Sequence, residues 1–360
     1  MVSPDPADPL PRATTDLVGH EAAERAFLDA WATGRLSHAW LIAGRRGIGK
    51  ATLAYRIARF VLGGGSAGGG GLFGDGPAGL AADPAGTLFR RVASGAHPDL
   101  CVVERAEPDA KGARRKEIPV DAVREIAGFL ALTPAEGGWR VVIVDAVDEL
   151  NRSGANALLK VLEEPPARSL LMLICHAPGR LLPTIRSRCR LLTLRPLALQ
   201  AAAGVLSRRR PALAEDEALA LARLADGSVG VALELADQGG LDLYREMLDL
   251  LGGMPALDVP ALHAFAERVG RSEEGTRTLG ELFGVWLSGA AVAGFRGRAD
   301  EVQAGESELA ARLLATAGLD RWLDVWEKTT QSFGRAEAVN LDRKQVVLNA
   351  FLSLERLCRP

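Results

Sequence analysis

Apolar and polar positions alternate along the chain in two different rhythms. Val141-Val142-Ile143-Val144, ending in Asp145, and Leu170-Leu171-Met172-Leu173-Ile174 are short, continuous apolar runs bounded by polar residues. Runs of this kind read as strands buried on both faces of a parallel sheet. A third run, Trp40-Leu41-Ile42-Ala43, leads straight into glycines. Between these lie stretches with helical spacing: Ala22 to Gly34, Ala51 to Val61, Val120 to Leu132 and Arg152 to Leu162. Strands alternating with helices predict an α/β domain with a parallel sheet over residues 1–194, closed by Arg195-Pro196. Beyond it strand patterns vanish. Residues 195–240 predict two or three short helices punctuated by Pro211 and Gly227-Ser228, and residues 241–360 predict amphipathic helix throughout. In that last part Trp322 and Trp326 stand at i, i+4, and a final helix bears Val347, Phe351 and Leu354.

Composition narrows the class. The chain has 360 residues, which at about 150 per domain fits two to three domains, in keeping with the three-part pattern. With 48% hydrophobic and 24% charged residues, global disorder is excluded. A formal net charge of -2 excludes a chain that coats DNA by bulk charge, though not a local basic surface. Four cysteines, at 101, 175, 189 and 358, are too scattered for a zinc-ribbon spacing, and no metal site is expected. No signal peptide and no membrane-length apolar run is legible, so a cytoplasmic location is expected. Gly63 to Gly71 is too rich in glycine to hold a packed core and reads as a flexible surface excursion.

Candidate chemistry starts at Gly44-Arg45-Arg46-Gly47-Ile48-Gly49-Lys50, between a strand and a helix. Gly44, Gly47 and Gly49 would let backbone N–H groups face a phosphate, the helix N-terminus favours an anion, and Lys50 would reach the terminal phosphates. This is the setting of a phosphate-binding loop (P-loop), but the residue after the lysine is Ala51, which has no hydroxyl for Mg²⁺. Thr52 is one position further, about 100° round the helix, and does not simply replace it. Asp145 ends an apolar strand, where a metal-organising carboxylate belongs. The next residue is Ala146, so the position of a general base for water attack carries no carboxylate. Asp148 and Glu149 have two readings, as substitute bases or as charges capping the following helix, and the second is preferred. The losses at 51 and 146 strike the same reaction, so hydrolysis is expected to be absent or very slow. Gly44, Gly47, Gly49, Lys50, Thr52 and Asp145 thus make up a degenerate nucleotide site, with no cofactor required and vestigial ATP or ADP binding left open.

Several further segments occur in a telling order. They are Leu17-Val18-Gly19-His20, Arg35-Leu36-Ser37-His38-Ala39-Trp40, the glycine loop, His97-Pro98-Asp99, Asn156 to Pro166 (with Leu162-Glu163-Glu164-Pro165-Pro166), and Ile185-Arg186-Ser187-Arg188-Cys189. Together they resemble the bacterial clamp-loader branch of the AAA+ proteins, well over the first two parts and more weakly through Asn340 to Gln345. The resemblance implies an N-terminal AAA+ domain, a small helical lid domain over 195–240 and an all-α oligomerisation collar over 241–360. It implies a subunit of the DNA polymerase III clamp loader, which places the ring-shaped sliding clamp on primed DNA. Its partners would be the other loader subunits, of the gamma/tau and delta types, and through the complex the clamp and primed DNA; no membrane is involved. Within the branch the departures fit a rigid subunit without an ATPase of its own, which offers the arginine of its Ser-Arg-Cys element to a neighbour's nucleotide. That arginine is Arg188. A planar, permanently charged guanidinium is suited to charge developing on a γ-phosphate, whereas an isolated surface arginine would be an ion pair. Other departures agree: Cys175-His176 stand where a γ-phosphate sensor is expected, and Gly227 to Ala232 lack the lid arginine. The competing expectation is an ATP-hydrolysing motor subunit of the gamma/tau type. The basic run Lys111 to Lys116 reads as a solvated loop in preference to a DNA-backbone contact, and without interleaved aromatic residues base stacking is unsupported.

Overall fold

A computed structural model of the chain describes residues 10–65, 79–105, 118–296, 301–339 and 341–359. They divide into two compact units, residues 1–201 and 202–360. The basic run 111–116 and most of the glycine-rich stretch, residues 66–71, lie outside the described residues.

The first unit is built on a parallel sheet of five strands: β1 (Ala39–Ala43), β2 (Leu100–Glu104), β3 (Arg140–Asp145), β4 (Ser169–Cys175) and β5 (Arg190–Thr193). Their order is β2-β3-β4-β1-β5, and every adjacent pair is parallel. The continuous apolar runs are the strands covered on both faces, β1, β3 and β4. On one face Trp40, Ile42, Val141, Ile143, Leu170 and Met172 pack with Phe27 of α1 (Glu21–Ala32) and with Leu53, Ile57 and Phe60 of α2 (Lys50–Leu62). On the other, Leu41, Val142, Val144, Leu171 and Leu173 pack with Val123 and Ile126 of α4 (Val120–Ala131) and Leu158 and Leu162 of α5 (Arg152–Glu163). Side chains of a strand alternate between faces, so one unbroken apolar run feeds both layers. The edge strands β2 and β5 and the short α3 (Thr87–Ala93) go beyond the sequence pattern. β5 is only four residues long and three of them are exposed, Leu191 at 53%, so it lacks the apolar run that marks a central strand.

The second unit is helical. α7 (Leu199–Arg209), which begins at the end of the first unit, leads into α8 (Glu215–Leu224) and α9 (Val229–Asp237), the expected short helices. There follow α10 (Gly240–Gly252), α11 (Val259–Gly270), α12 (Glu273–Arg296), α13 (Glu306–Leu314), α14 (Leu319–Val339) and α15 (Arg343–Cys358). The expected division near residue 240 falls at the short link between α9 and α10, inside this one unit. Phe351 of α15, fully buried, meets Phe265 and Phe283 edge-on at 5.8 and 5.4 Å between ring centroids. On α14 the buried stripe runs through Trp322, Thr329, Phe333 and Ala336, which leaves Trp326 at its margin and 37% exposed. Among the described residues no helix is long and apolar enough to cross a membrane.

Candidate functional site

The carboxyl ends of β1, β3 and β4 lie level. Ala43 stands opposite Cys175, and Ile174 opposite Asp145, so the loop after β1, the end of β4 and Asp145 adjoin in that order. The loop needs its glycines. Gly44, Gly47 and Gly49 have φ of 150°, 75° and 98°. A Cβ on Gly44 would stand 2.6 Å from the carbonyl oxygen of Leu194. The loop is also held from outside: Nε2 of the buried His20 donates to the carbonyl of Ile48 at 2.6 Å, a bond that places the ring proton on Nε2.

Lys50 opens α2 and is almost fully buried. Its ammonium donates to the carbonyls of Gly44, at 2.7 Å, and Arg45, closing the loop on itself. Burial pulls its pKa down to about 8, and the charges of Asp145 and Asp148 resist that shift. Burial likewise pushes Asp145 up to about 6, opposed by Lys50 and reinforced by Glu104, Glu149 and Asp148. His176 is pushed down to about 4, first by burial and then by Lys50, and its Nδ1 is buried without a hydrogen-bond partner. Cys175 is pushed up to about 12 by burial and by Asp148, so it stays a thiol.

Asp148 and Glu149 differ from the preferred reading. They sit in a single turn of 3-10 helix, Val147–Glu149, and the cap of α5 is Asn151, whose side chain accepts from Gly154 N at 2.8 Å. Asp148 instead accepts from the backbone N–H groups of His176 and Ala177, both at 2.9 Å, tying this turn to the end of β4. Burial alone would raise its pKa, but those bonds outweigh it and the carboxyl lies below its ordinary value. Glu149 pairs with Arg105 at 2.7 Å. Both carboxylates are engaged in holding the fold. Thr52 is buried one position beyond Ala51 on α2.

The loop has the left-handed glycines and the helix N-terminus that suit a phosphate, with the Lys50 ammonium bonded to two of its own carbonyls. At position 51 a methyl group stands where a hydroxyl would meet the divalent cation that accompanies a nucleotide.

Arg188 lies elsewhere. It follows α6 (Pro183–Arg186) and precedes β5, whose Arg190 stands opposite Trp40 near the start of β1. The first residue of β5 thus stands four residues back from Gly44, or about 13 Å along the strand at ~3.3 Å per residue, and Arg188 lies in the turn before it. Its side chain is 36% exposed, with Nη2 2.8 Å from Glu163 Oε1 and Nη1 donating to the Thr184 carbonyl at 3.0 Å. The candidate residues thus form two groups at opposite ends of the sheet: the loop glycines, Lys50 and Asp145 at one, Arg188 at the other. His20, the double acceptor Asp148, and Glu163 as the partner of Arg188 are contributions that sequence reasoning did not assign. Each acts through a contact distant in sequence, which no local pattern signals.

Comparison with known proteins gives the same setting. The profile of the family described as "DNA polymerase III, delta subunit" matches residues 19–198. The chain is similar to the DNA polymerase III subunit delta' of Pseudomonas aeruginosa, with 37% identity over 221 residues, 61% of this chain and 61% of that protein. With the delta' subunit of Escherichia coli it shares 37% identity over 206 residues, 57% of this chain and 56% of that protein. It is also 32% identical to the tau subunit of Salmonella typhimurium over 234 residues, 63% of this chain and 33% of that protein. The match thus spans about three fifths of the length of these delta' relatives and a third of the tau relative.

Proposed function

The chain belongs to the DNA polymerase III delta-subunit family, as a clamp-loader AAA+ subunit, and on that premise we propose that it serves as the delta-prime type. In this reading it hydrolyses no ATP itself. It assembles with gamma/tau and delta subunits, helps to load the sliding clamp onto primed DNA, and donates Arg188 to the nucleotide of a neighbouring subunit. The observation that carries the reading is the placement of Arg188. An arginine that precedes β5, whose first residue already stands about 13 Å back along the sheet from the phosphate loop, lies toward the opposite end from a γ-phosphate held there. Half exposed at the opposite end, it is available to a site on another molecule.

The chain's own loop supports the same view. Ala51 offers no hydroxyl to Mg²⁺, Ala146 offers no base, and Asp148 is held in place by two backbone N–H groups. Lys50 has an occupation within the fold, bonded to two loop carbonyls.

The test is a paired substitution in a reconstituted loader, after both variants are shown to assemble. Arg188→Ala is expected to lower ATP hydrolysis stimulated by clamp and primed DNA, and clamp loading with it. Arginine fingers are worth about 10³–10⁵ in rate at the site they complete, and the loss summed over all sites is smaller because the others continue to fire. Arg188→Lys is expected to be nearly as damaging, since an ammonium lacks the two-pronged contact. Lys50→Ala should leave the rate of the complex almost unchanged. A large loss from Lys50→Ala beside a normal Arg188→Ala complex would establish a hydrolysing motor of the gamma/tau type instead.

A further inference from the structure

Three segments distant in sequence meet around Arg188. His38, just before β1, donates from Nε2 to the carbonyl of Leu162 at 3.1 Å and so fixes the last turn of α5 against the sheet. Glu163 is the next residue and the last of that helix, and its Oε1 lies 2.8 Å from Nη2 of Arg188. The other arm of the guanidinium, Nη1, donates to the Thr184 carbonyl in α6. Each arm is thereby held by a different element, one by α5 and one by α6. A guanidinium carries five N–H donors, and these two contacts leave three for a ligand.

We propose that Glu163 is a positioning residue for Arg188: it holds the guanidinium in the orientation in which a neighbouring subunit's phosphate meets it. The inference rests on the reading of Arg188 as an arginine supplied in trans. Its physical basis is preorganisation. A long side chain held at both arms before the neighbour arrives has less freedom left to lose on engagement, and the gain appears where orientation matters, in the turnover step. The ion pair is half exposed, with Glu163 49% accessible, so it is weak enough not to bind the arginine against a triphosphate.

The test uses the reconstituted loader with the full-length chain carrying Glu163→Ala, Glu163→Gln, Arg188→Ala or the first and third together. ATP hydrolysis stimulated by clamp and primed DNA is followed as kcat and KM, with thermal unfolding of each variant subunit alongside. Glu163→Ala is expected to lower kcat by about two- to fivefold, the size that one exposed charged contact supports, with KM and the thermal midpoint unchanged. Glu163→Gln keeps an oxygen that accepts from Nη2 and should recover most of the loss. The double variant should be no slower than Arg188→Ala alone, because Glu163 acts only through the arginine. The proposal is overturned if Glu163→Ala matches or exceeds the wild-type rate while Arg188→Ala is impaired. It is equally overturned if the two losses multiply, which would make Glu163 a separate structural contributor. A wild-type rate for Arg188→Ala would instead remove the reading on which the proposal stands.

Discussion

Asp99, in the His97-Pro98-Asp99 segment before β2, is 1% exposed, and its replacement by alanine is expected to be costly. One carboxylate oxygen accepts from Ala135 N at 2.8 Å and the other from Glu136 N at 3.1 Å, which ties the turn between α4 and β3 to the sheet. The first oxygen also lies 3.8 Å from Nη2 of Arg140, itself only 7% exposed. Arg140 bonds the carbonyls of Phe129 and Thr133 and stacks on the Phe129 ring at 4.6 Å. Removing one member of a buried pair costs about 3–5 kcal/mol, since the remaining charge is left uncompensated. Arg140 keeps its carbonyls and its ring, and water reaches the exposed turn, so about 3 kcal/mol is expected for Asp99→Ala. Asp99→Asn should cost nearly as much, because the two N–H groups bond different carboxylate oxygens and one of them would then face the amide NH₂. Urea unfolding, followed by hydrogen exchange in β3 so that the first unit is observed by itself, measures the loss. A double-mutant cycle with Arg140→Met should return a coupling above about 1 kcal/mol. A loss below about 1 kcal/mol, or strict additivity, would refute the account of this segment as a buried ionic clasp.

Two further outcomes follow from the loop and its neighbours. Gly44→Ala should destabilise the first unit by at least about 2 kcal/mol, because φ is 150° and the new Cβ would stand 2.6 Å from the Leu194 carbonyl oxygen; an unchanged thermal midpoint would contradict it. Asp145 titrates near 6 in the folded chain against an ordinary 3.8, so across that window the folded state holds the extra proton and stability falls as pH rises; His176, near 4 against 6.5, has the opposite slope. Asp145→Asn should therefore match the wild type near pH 4 and exceed it by about 1–3 kcal/mol at pH 7, and a difference constant across pH would sink the assignment.

What could be read in advance divides along physical lines. β1, β3 and β4 were legible because burial on both faces demands an unbroken apolar run, and Val141 to Val144 has no other use. β2 and β5 were not, since an edge strand such as Arg190–Thr193 satisfies its backbone on one side only and tolerates polar and exposed positions. The phosphate loop was legible because its chemistry is local: three glycines, a lysine and the turn they make are contiguous. The surroundings of Arg188 were not, because Glu163 reaches it from 25 residues earlier through a fold that a linear pattern does not encode. Asp148 shows the intermediate case. Its position before α5 resembled a cap, yet Asn151 stands nearer the first helical residue and takes the bond, which frees Asp148 for the end of β4.

Lys50, in a loop with no hydroxyl at position 51, has a role in the fold that requires no nucleotide turnover. Asp145 and Asp148 carry negative charge beneath the loop, and both interact with the Lys50 ammonium. Without it, two partly buried carboxylates would face each other uncompensated, and the carbonyls of Gly44 and Arg45 would lose their donor. The hydroxyl absent at 51 and the carboxylate absent at 146 have no such second duty, because each would serve only the metal ion and the water of hydrolysis. In the proposed non-hydrolysing subunit, side chains that act only in the reaction have no use, while those that also hold the fold keep one. The ion pair of Arg188, by contrast, is partly exposed and contributes little to stability, which accords with the proposed duty toward a neighbouring subunit.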